Sequence, residues 1–359
     1  MTAGIADEGL YGPDSEAWRL NREAMLLLGA GPRALLLQIA HPAVAAGVAD
    51  HSDFRTDPWR RLAGTLRSYL TIVYGSSATA RAEIRRLNGL HRGISGPGYS
   101  ARDPELSLWV HATLIDSTIA VADAWLEPVT PARRAAFYAE TRPIGRAFGV
   151  PDTLLPADLE AFEAYVAGML GPSGPVRVSA VARELAGVVL RPPLAPLAPW
   201  LGVVPESAYA WTLWPSVGLL PESVRQDYGL PWGVRERLVS AWLVAGWRAW
   251  RPLLPASFRQ MPKALAADRR VASIGRSAAL GSPLLPDTHG VTGRHGSRVE
   301  SPPRSSLPRS DVLCHPAFSA PDRAYHPPEA WLAEPISRRR QSCTGRIGDT
   351  SGRPVRLRR

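Results

Sequence analysis

Cysteine is nearly absent from this chain. Among 359 residues there are two, Cys314 and Cys343, both close to the C-terminal end. Ahead of them there can be no disulfide framework, iron–sulfur cluster, Cys-x-x-Cys-His haem attachment or cysteine-rich zinc site. Long apolar runs are also missing. The longest, Ala34 to Ala49, is about one turn short of a bilayer span and contains Gln38, His41 and Pro42, so a buried helix explains it better. The first residues, Met1 to Glu8, are mildly acidic and carry no apolar stretch, which argues against a signal peptide and for a cytoplasmic protein. Period-two alternation, fixed-period repeats, phosphate-cradling glycine motifs and a nucleophile elbow are absent too.

The charge that is present is unevenly placed. Residues 270–359 hold fifteen arginines against seven carboxylates, so +8 of the net +10 belongs to them and only +2 to residues 1–269. That last stretch is rich in Pro, Ser, Gly and Arg, as in Ser301-Pro-Pro-Arg-Ser-Ser-Leu-Pro-Arg309, and has no sustained hydrophobic period. We expect a disordered basic tail after residue 269, because such a composition cannot bury enough apolar surface to offset its ordering entropy. No aromatic residues are interleaved with its arginines in the manner of single-strand binders, so no specific nucleic-acid partner is expected. A passive solvated tail and a foreign reading frame at the end of the gene both fit better.

The preceding residues read as helices joined by proline-rich turns. Helices are expected over Asp14–Gly29, Pro32–Asp50, Asp57–Tyr74, Ala78–His91 (Ile84, Leu87 and Leu90 inward), Asp103–Trp125 and Thr130–Phe148. Others are expected over Pro156–Leu170, Arg177–Leu190, Pro221–Tyr228 and Gly233–Trp250. The stretch Arg191–Trp200 carries too many prolines for a helix and reads as a surface connection. The fold class is therefore all-α: a single multi-helix domain over residues 1–269.

Two helices carry candidate chemistry. Asp103-Pro-Glu105 is a helix start, with Asp as N-cap and Pro at the first helical position. The helix that follows is apolar nearly all round, hence buried, and contains His111. Ser107, Leu108, Leu114, Ile115 and Thr118 share its face, and no carboxylate stands one turn away. A lone neutral imidazole in an apolar wall suits an axial bond to haem iron, with Leu108 and Ile115 as water-excluding neighbours; a core histidine satisfied by a hydroxyl or a carbonyl is the competing reading. On the helix begun by Asp57-Pro58, Arg61 and Thr65 stack one turn apart, beside Gly64 and Ser68. A guanidinium and a hydroxyl on a strip without bulk can hold a propionate, an oxygen molecule or a water. Against that stands a plain solvated basic face of Arg60, Arg61 and Arg67.

The run Trp18-Arg-Leu-Asn-Arg-Glu-Ala-Met-Leu-Leu-Leu-Gly-Ala-Gly-Pro-Arg-Ala-Leu-Leu-Leu-Gln-Ile-Ala-His-Pro42, followed by Gly47-Val-Ala-Asp-His-Ser-Asp-Phe54, Asp57-Pro-Trp-Arg-Arg-Leu62 and Leu108-Trp-Val-His-Ala-Thr-Leu114, resembles the catalytic domain of the mpaB-type and rubber oxygenases (latex clearing proteins). The motifs come in the family's order, and the resemblance covers roughly residues 12 to 265. It implies an all-helical domain, haem b, and dioxygen-dependent cleavage of an olefinic bond in an isoprenoid chain. In that resemblance His111 matches the haem ligand, and Arg61 and Thr65 match the Arg-x-x-x-Thr pair of the haem pocket. Rubber-cleaving members often carry a lysine just before that threonine, able to cap the iron. Gly64 stands there in this chain, so the distal side is expected to be open or water-capped. The resemblance would also set Asp50, His51 and Asp53 near the pocket mouth.

Two other patterns compete. His51-Ser-Asp53 has the spacing of a non-haem iron site, with His91 or His111 as a third ligand. The helix Arg235–Trp250 carries Trp242, Trp247 and Trp250 among aliphatic residues and arginines. Such a helix lies at a membrane surface or, more commonly, packs as a core or lid helix. The expected function is thus a haem-dependent oxygenase taking dioxygen and an apolar small molecule or lipid, with possible peripheral membrane contact. A non-catalytic haem-binding or gas-sensing protein, and a helical scaffold without cofactor, are the alternatives.

Overall fold

A computed structural model describes residues 7–191 and 206–281, leaving aside the side chains of 206–211, 275 and 277–281. Fourteen α-helices are found among the described residues. The strands found there are a two-residue antiparallel pair, β1 (Ser95–Gly96) and β2 (Tyr99–Ser100). The fold is all-α. All of the described residues fall within one compact unit that extends from Met1 to Pro286. The tail expected after residue 269 lies outside the described residues from position 282 onward, as does most of the proline-rich connection.

The spine is α2 (Ala24–Ala40) packed along α6 (Pro104–Val121). Polar contacts fix the register of this pair. Trp109 Nε1 donates to the Leu37 carbonyl at 3.2 Å, Gln38 Nε2 to Thr113 Oγ1 at 3.1 Å, and Arg33 to Asp116 at 2.6 Å and Ser117 Oγ at 2.8 Å. Arg33 is almost wholly buried, and its bonds to these two acceptors and to the Leu219 carbonyl offset the cost of desolvating a guanidinium. One hydrophobic cluster fills the side bounded by α1 (Glu16–Asn21), α4 (Pro58–Tyr74), α7 (Pro131–Ala147), α8 (Leu159–Leu170) and α14 (Pro262–Gly281). A second joins α2 to α3 (Pro42–His51), α9 (Ala180–Leu190), α10 (Glu206–Gly218) and α11 (Glu222–Asp227).

Several expected boundaries shift. The helix expected over Asp14–Gly29 is two: α1, capped by the Ser15 hydroxyl, and α2, which begins at Ala24. The break at Arg22 and Glu23 is held by remote ties, since Glu23 Oε1 accepts from Arg259 at 2.6 Å and from Arg251 at 3.2 Å. The helix expected over Pro32–Asp50 is split as well. Pro32 lies inside α2, and the chain turns by 104° between α2 and α3 at His41. Pro42 imposes that turn, because the residue before a proline is driven from the helical to the extended region; His41 has φ −78° and ψ 122°. Leu90, expected inward on α5 (Ser77–His91), is exposed. The last described helix, α14, runs through residue 270 to Gly281, so the boundary expected at 269 falls inside it. Arg270 donates to the Tyr74 carbonyl at 2.8 Å and to the Glu8 carbonyl at 3.2 Å.

No single described helix is long and apolar enough to cross a membrane; α2 and α3 reach that length and apolarity only together, as a pair bent by 104°.

Candidate active site

Helix α6 turns one side to α2 through Trp109, Thr113 and Ser117, and that orientation aims His111 the other way, at α7. Residue His111 keeps some accessible surface, but its Nε2 is closed off and has no hydrogen-bond partner. The ring does bond to the backbone of Thr141, one helical turn before Gly145 on α7. A carbonyl can only accept, so Nδ1 carries the proton and Nε2 keeps its lone pair. Burial lowers the pKa of this histidine to about 4, with the Thr141 bond acting weakly in the opposite direction, so the ring is neutral at pH 7.

Gly145 is the neighbour of Nε2 that matters most. A β-carbon there would lie 3.2 Å from His111 Cδ2, 3.4 Å from Nε2 and 3.0 Å from Leu155. Leu155 in turn packs with Leu108 and Val150 in a small buried cluster. Leu108 therefore stands where a wall residue of this site is expected. Ile115, one turn beyond His111, sinks into the main core instead.

Arg61 and Thr65 are bonded to each other. Arg61 donates to Thr65 Oγ1 at 2.8 Å, and the same hydroxyl donates to the Arg61 carbonyl at 3.0 Å. The Arg61 Nε donates to Ser52 Oγ at 3.2 Å. Arg61 is exposed, yet protein surrounds it closely enough for desolvation to lower its pKa. Gly64 faces open space, since a β-carbon there would meet nothing. Ser68, expected on the same strip, turns to α5 and accepts from Arg86. Arg60 takes a different course from Arg61 and pairs with Asp53 and Asp57.

The end of α7 lies against His111 and against His91. Gly145 touches His111. Phe148, just after it, stacks loosely on His91 with ring centroids 6.2 Å apart. The pKa of His91 is lowered by burial and then by the charge of Arg61. Helices α4 and α6 approach where Tyr69 bonds to Thr118 and to Asn21, the latter at 2.7 Å. Arg61 lies two turns before Tyr69 on α4, and His111 two turns before Thr118 on α6.

The alternative iron site is not assembled. His51 Nε2 donates to the Ser95 carbonyl at 3.2 Å and to the Tyr99 hydroxyl at 3.1 Å, while Asp53 is taken by Arg60. Among the described residues no group of three His, Cys, Asp or Glu side chains could hold a metal. A cavity of about 290 Å³ opens elsewhere, among Arg19, Glu23, Arg133, Arg251 and Arg259, and includes neither His111 nor Arg61.

Residues 18–254 match the family described as ER-bound oxygenase mpaB/B'/Rubber oxygenase, catalytic domain. The chain belongs to this family. It is similar to an uncharacterized protein of Mycobacterium tuberculosis, 28% identical over 234 residues, a stretch that is 62% of this chain and 87% of the relative. An uncharacterized protein of Mycobacterium bovis is similar to the same extent over the same shares. No solved structure matches. Membership makes this an oxygenase-type domain and sets the enzyme class as oxidoreductase. Gly145 and Thr141 were not among the residues singled out in the sequence. Their bearing on His111 is a contact between residues about thirty positions apart on successive helices, which no local pattern on either helix encodes.

Proposed function

We propose that the chain is a haem-b-dependent oxygenase acting with dioxygen on an apolar, alkene-containing substrate of isoprenoid or lipid type. One observation carries the reading: Nε2 of His111 is closed off, holds its lone pair and has no hydrogen-bond partner. A buried polar nitrogen left unsatisfied costs about 1–3 kcal/mol, and an imidazole so prepared would offer its lone pair to a haem iron. The surroundings fit one such bond. Thr141 orients the ring from behind, as the outer partner of a ligating histidine does. The missing β-carbon of Gly145 leaves room beside Nε2.

When bound, haem supplies the redox-active iron for dioxygen chemistry. The chain's own groups would then divide the remaining tasks. His111 holds the group through Nε2, and Leu108, with Leu155 and Val150 behind it, excludes water from that side. Arg61 offers a guanidinium to a propionate or to an oxygen species, and Thr65 holds the guanidinium in place while offering a hydroxyl. Gly64 keeps that side free of bulk. The test is oxygen uptake by haem-loaded protein given an isoprenoid alkene such as squalene, beside its saturated analogue. Uptake with carbonyl products from the alkene alone is expected; haem-loaded protein that consumes no oxygen with any alkene would make this a binding or sensing protein.

A further inference from the structure

Helix α12 (Val234–Trp250) is apolar on two opposite sides. Its inner side is accounted for: Val244 and Trp247 pack on the main core, and Arg248 donates to the Asp123 carbonyl at 2.9 Å. The outer side holds Val234, Leu238, Ala241, Trp242, Ala245 and Ala249, all exposed. Their spacing puts them on one stripe running the length of the helix. Trp242 is 73% exposed and Leu238 64%, so the core or lid reading holds for Trp247 but not for Trp242. At the end of the helix Trp250, and just past it Leu253 and Phe258, are exposed as well, Phe258 at 78%. Soluble monomers seldom leave a contiguous apolar surface of this extent uncovered.

We propose that this outer face docks the protein on a bilayer containing anionic phospholipid. The charges decide between occupants. Within α12 there are three arginines and a single acid, Glu236, whose carboxylate is engaged by the backbone N–H of Gly233 at 2.7 Å. Arg237 and Arg248 border the stripe and donate to carbonyls, of Trp232 and Asp123, so those bonds leave their charges uncancelled. A second copy laid against the stripe would bring arginines against arginines. Anionic headgroups supply the opposite charge, and indole rings seat at the level between headgroups and acyl chains. The inference is independent of the haem reading.

The test is co-sedimentation of the full chain with vesicles of phosphatidylcholine alone and of phosphatidylcholine with phosphatidylglycerol, in low and high salt. Leu238→Glu/Trp242→Glu and Leu253→Glu/Phe258→Glu are compared with wild type. These side chains are exposed, so circular dichroism and melting should be unchanged, and the basic C-terminal residues are common to all three proteins. Wild type should favour the anionic vesicles, retain part of its binding in high salt, and lose about tenfold or more of its partitioning in each variant, as burial of apolar area at an interface requires. Equal partitioning by wild type and variants would overturn the proposal and assign binding to the basic tail. So would a wild type that ignores vesicles, whether it is a dimer split by the variants or a monomer whose own residues 192–205 cover the stripe.

Discussion

Gly145 on α7 stands against the imidazole of His111 on α6, close enough that a β-carbon would lie 3.4 Å from Nε2. That distance is itself ordinary, but the same β-carbon would lie 3.2 Å from His111 Cδ2 and 3.0 Å from Leu155, so the ring or Leu155 must give by a few tenths of an ångström. In Gly145→Ala the crowding is offset in part by the better helix propensity of alanine, about 1 kcal/mol. We expect a melting temperature close to wild type but haem affinity lowered about tenfold, as an overpacking cost of roughly 1–3 kcal/mol would give. Titration of the apoprotein with haem measures it. Wild-type affinity would show that the space beside Nε2 has no part in binding.

Arg61 and Thr65 give a second prediction. Both are exposed, so Arg61→Ala and Thr65→Ala should fold normally. If they act on an oxygen species or a propionate, turnover or haem retention should fall by about 2–4 kcal/mol, the worth of a polar group in a preorganised site. Thr65→Ser keeps the hydroxyl and should recover most of the loss, while Thr65→Val should not. Unchanged oxygen uptake in all of these would leave the pair as a solvated helix face.

Acidity offers a third. Burial holds the pKa of His111 down at about 4 in the folded protein, against an ordinary value near 6.5. Between those values the unfolded chain takes up a proton that the folded one refuses, so stability rises with pH across that window. The contribution is complete above about pH 6.5 and is lost as pH falls toward 4. At roughly 1.4 kcal/mol per unit it amounts to about 3 kcal/mol. Urea melts of apoprotein at pH 7 and pH 4.5 should differ by more in wild type than in His111→Phe. An equal pH dependence in the two proteins would contradict the assigned burial.

The helices that frame the site were legible because their starts are local. Asp57-Pro58 and Asp103-Pro104 cap α4 and α6 as their sequence indicates, with Asp57 accepting from the Arg60 N–H and Asp103 from the Glu105 N–H. Arg61 and Thr65 were legible for the same reason, since spacing of four on one helix dictates contact. What was missed depends on residues far apart. The break at Glu23 is stabilised by Arg251 and Arg259, and Gly145 matters only because α7 crosses His111. The hairpin of β1 and β2 is too short to leave a periodic signal. The outer stripe of α12 reads the same as a core stripe in sequence, because hydrophobicity alone does not say which face is covered.

A fourth prediction concerns the boundary expected at residue 269, which α14 crosses as it runs to Gly281. Asp268 pairs with Arg22 at 2.6 Å, and Arg270 ties α14 to Tyr74 and Glu8. A chain ending at Gly281 should melt like the full chain. One ending at Ala267 should lose about 1–3 kcal/mol, a drop of several degrees. Removal of residues 282–359, which carry +6 of the net charge, should also weaken retention on a cation exchanger. Equal melting temperatures for the two truncations would move the boundary back toward residue 269.

The most direct measurement is the absorption spectrum and haem content of the purified protein, expressed with haem precursor, beside those of His111→Ala. The account predicts a Soret band with about one haem per chain in the wild type, held through His111. In His111→Ala the band should be lost or strongly displaced, while variants of His41, His51 and His91 keep the wild-type spectrum. A His111→Ala protein with unchanged haem content and spectrum, or a wild type that takes up no haem on reconstitution, would contradict it.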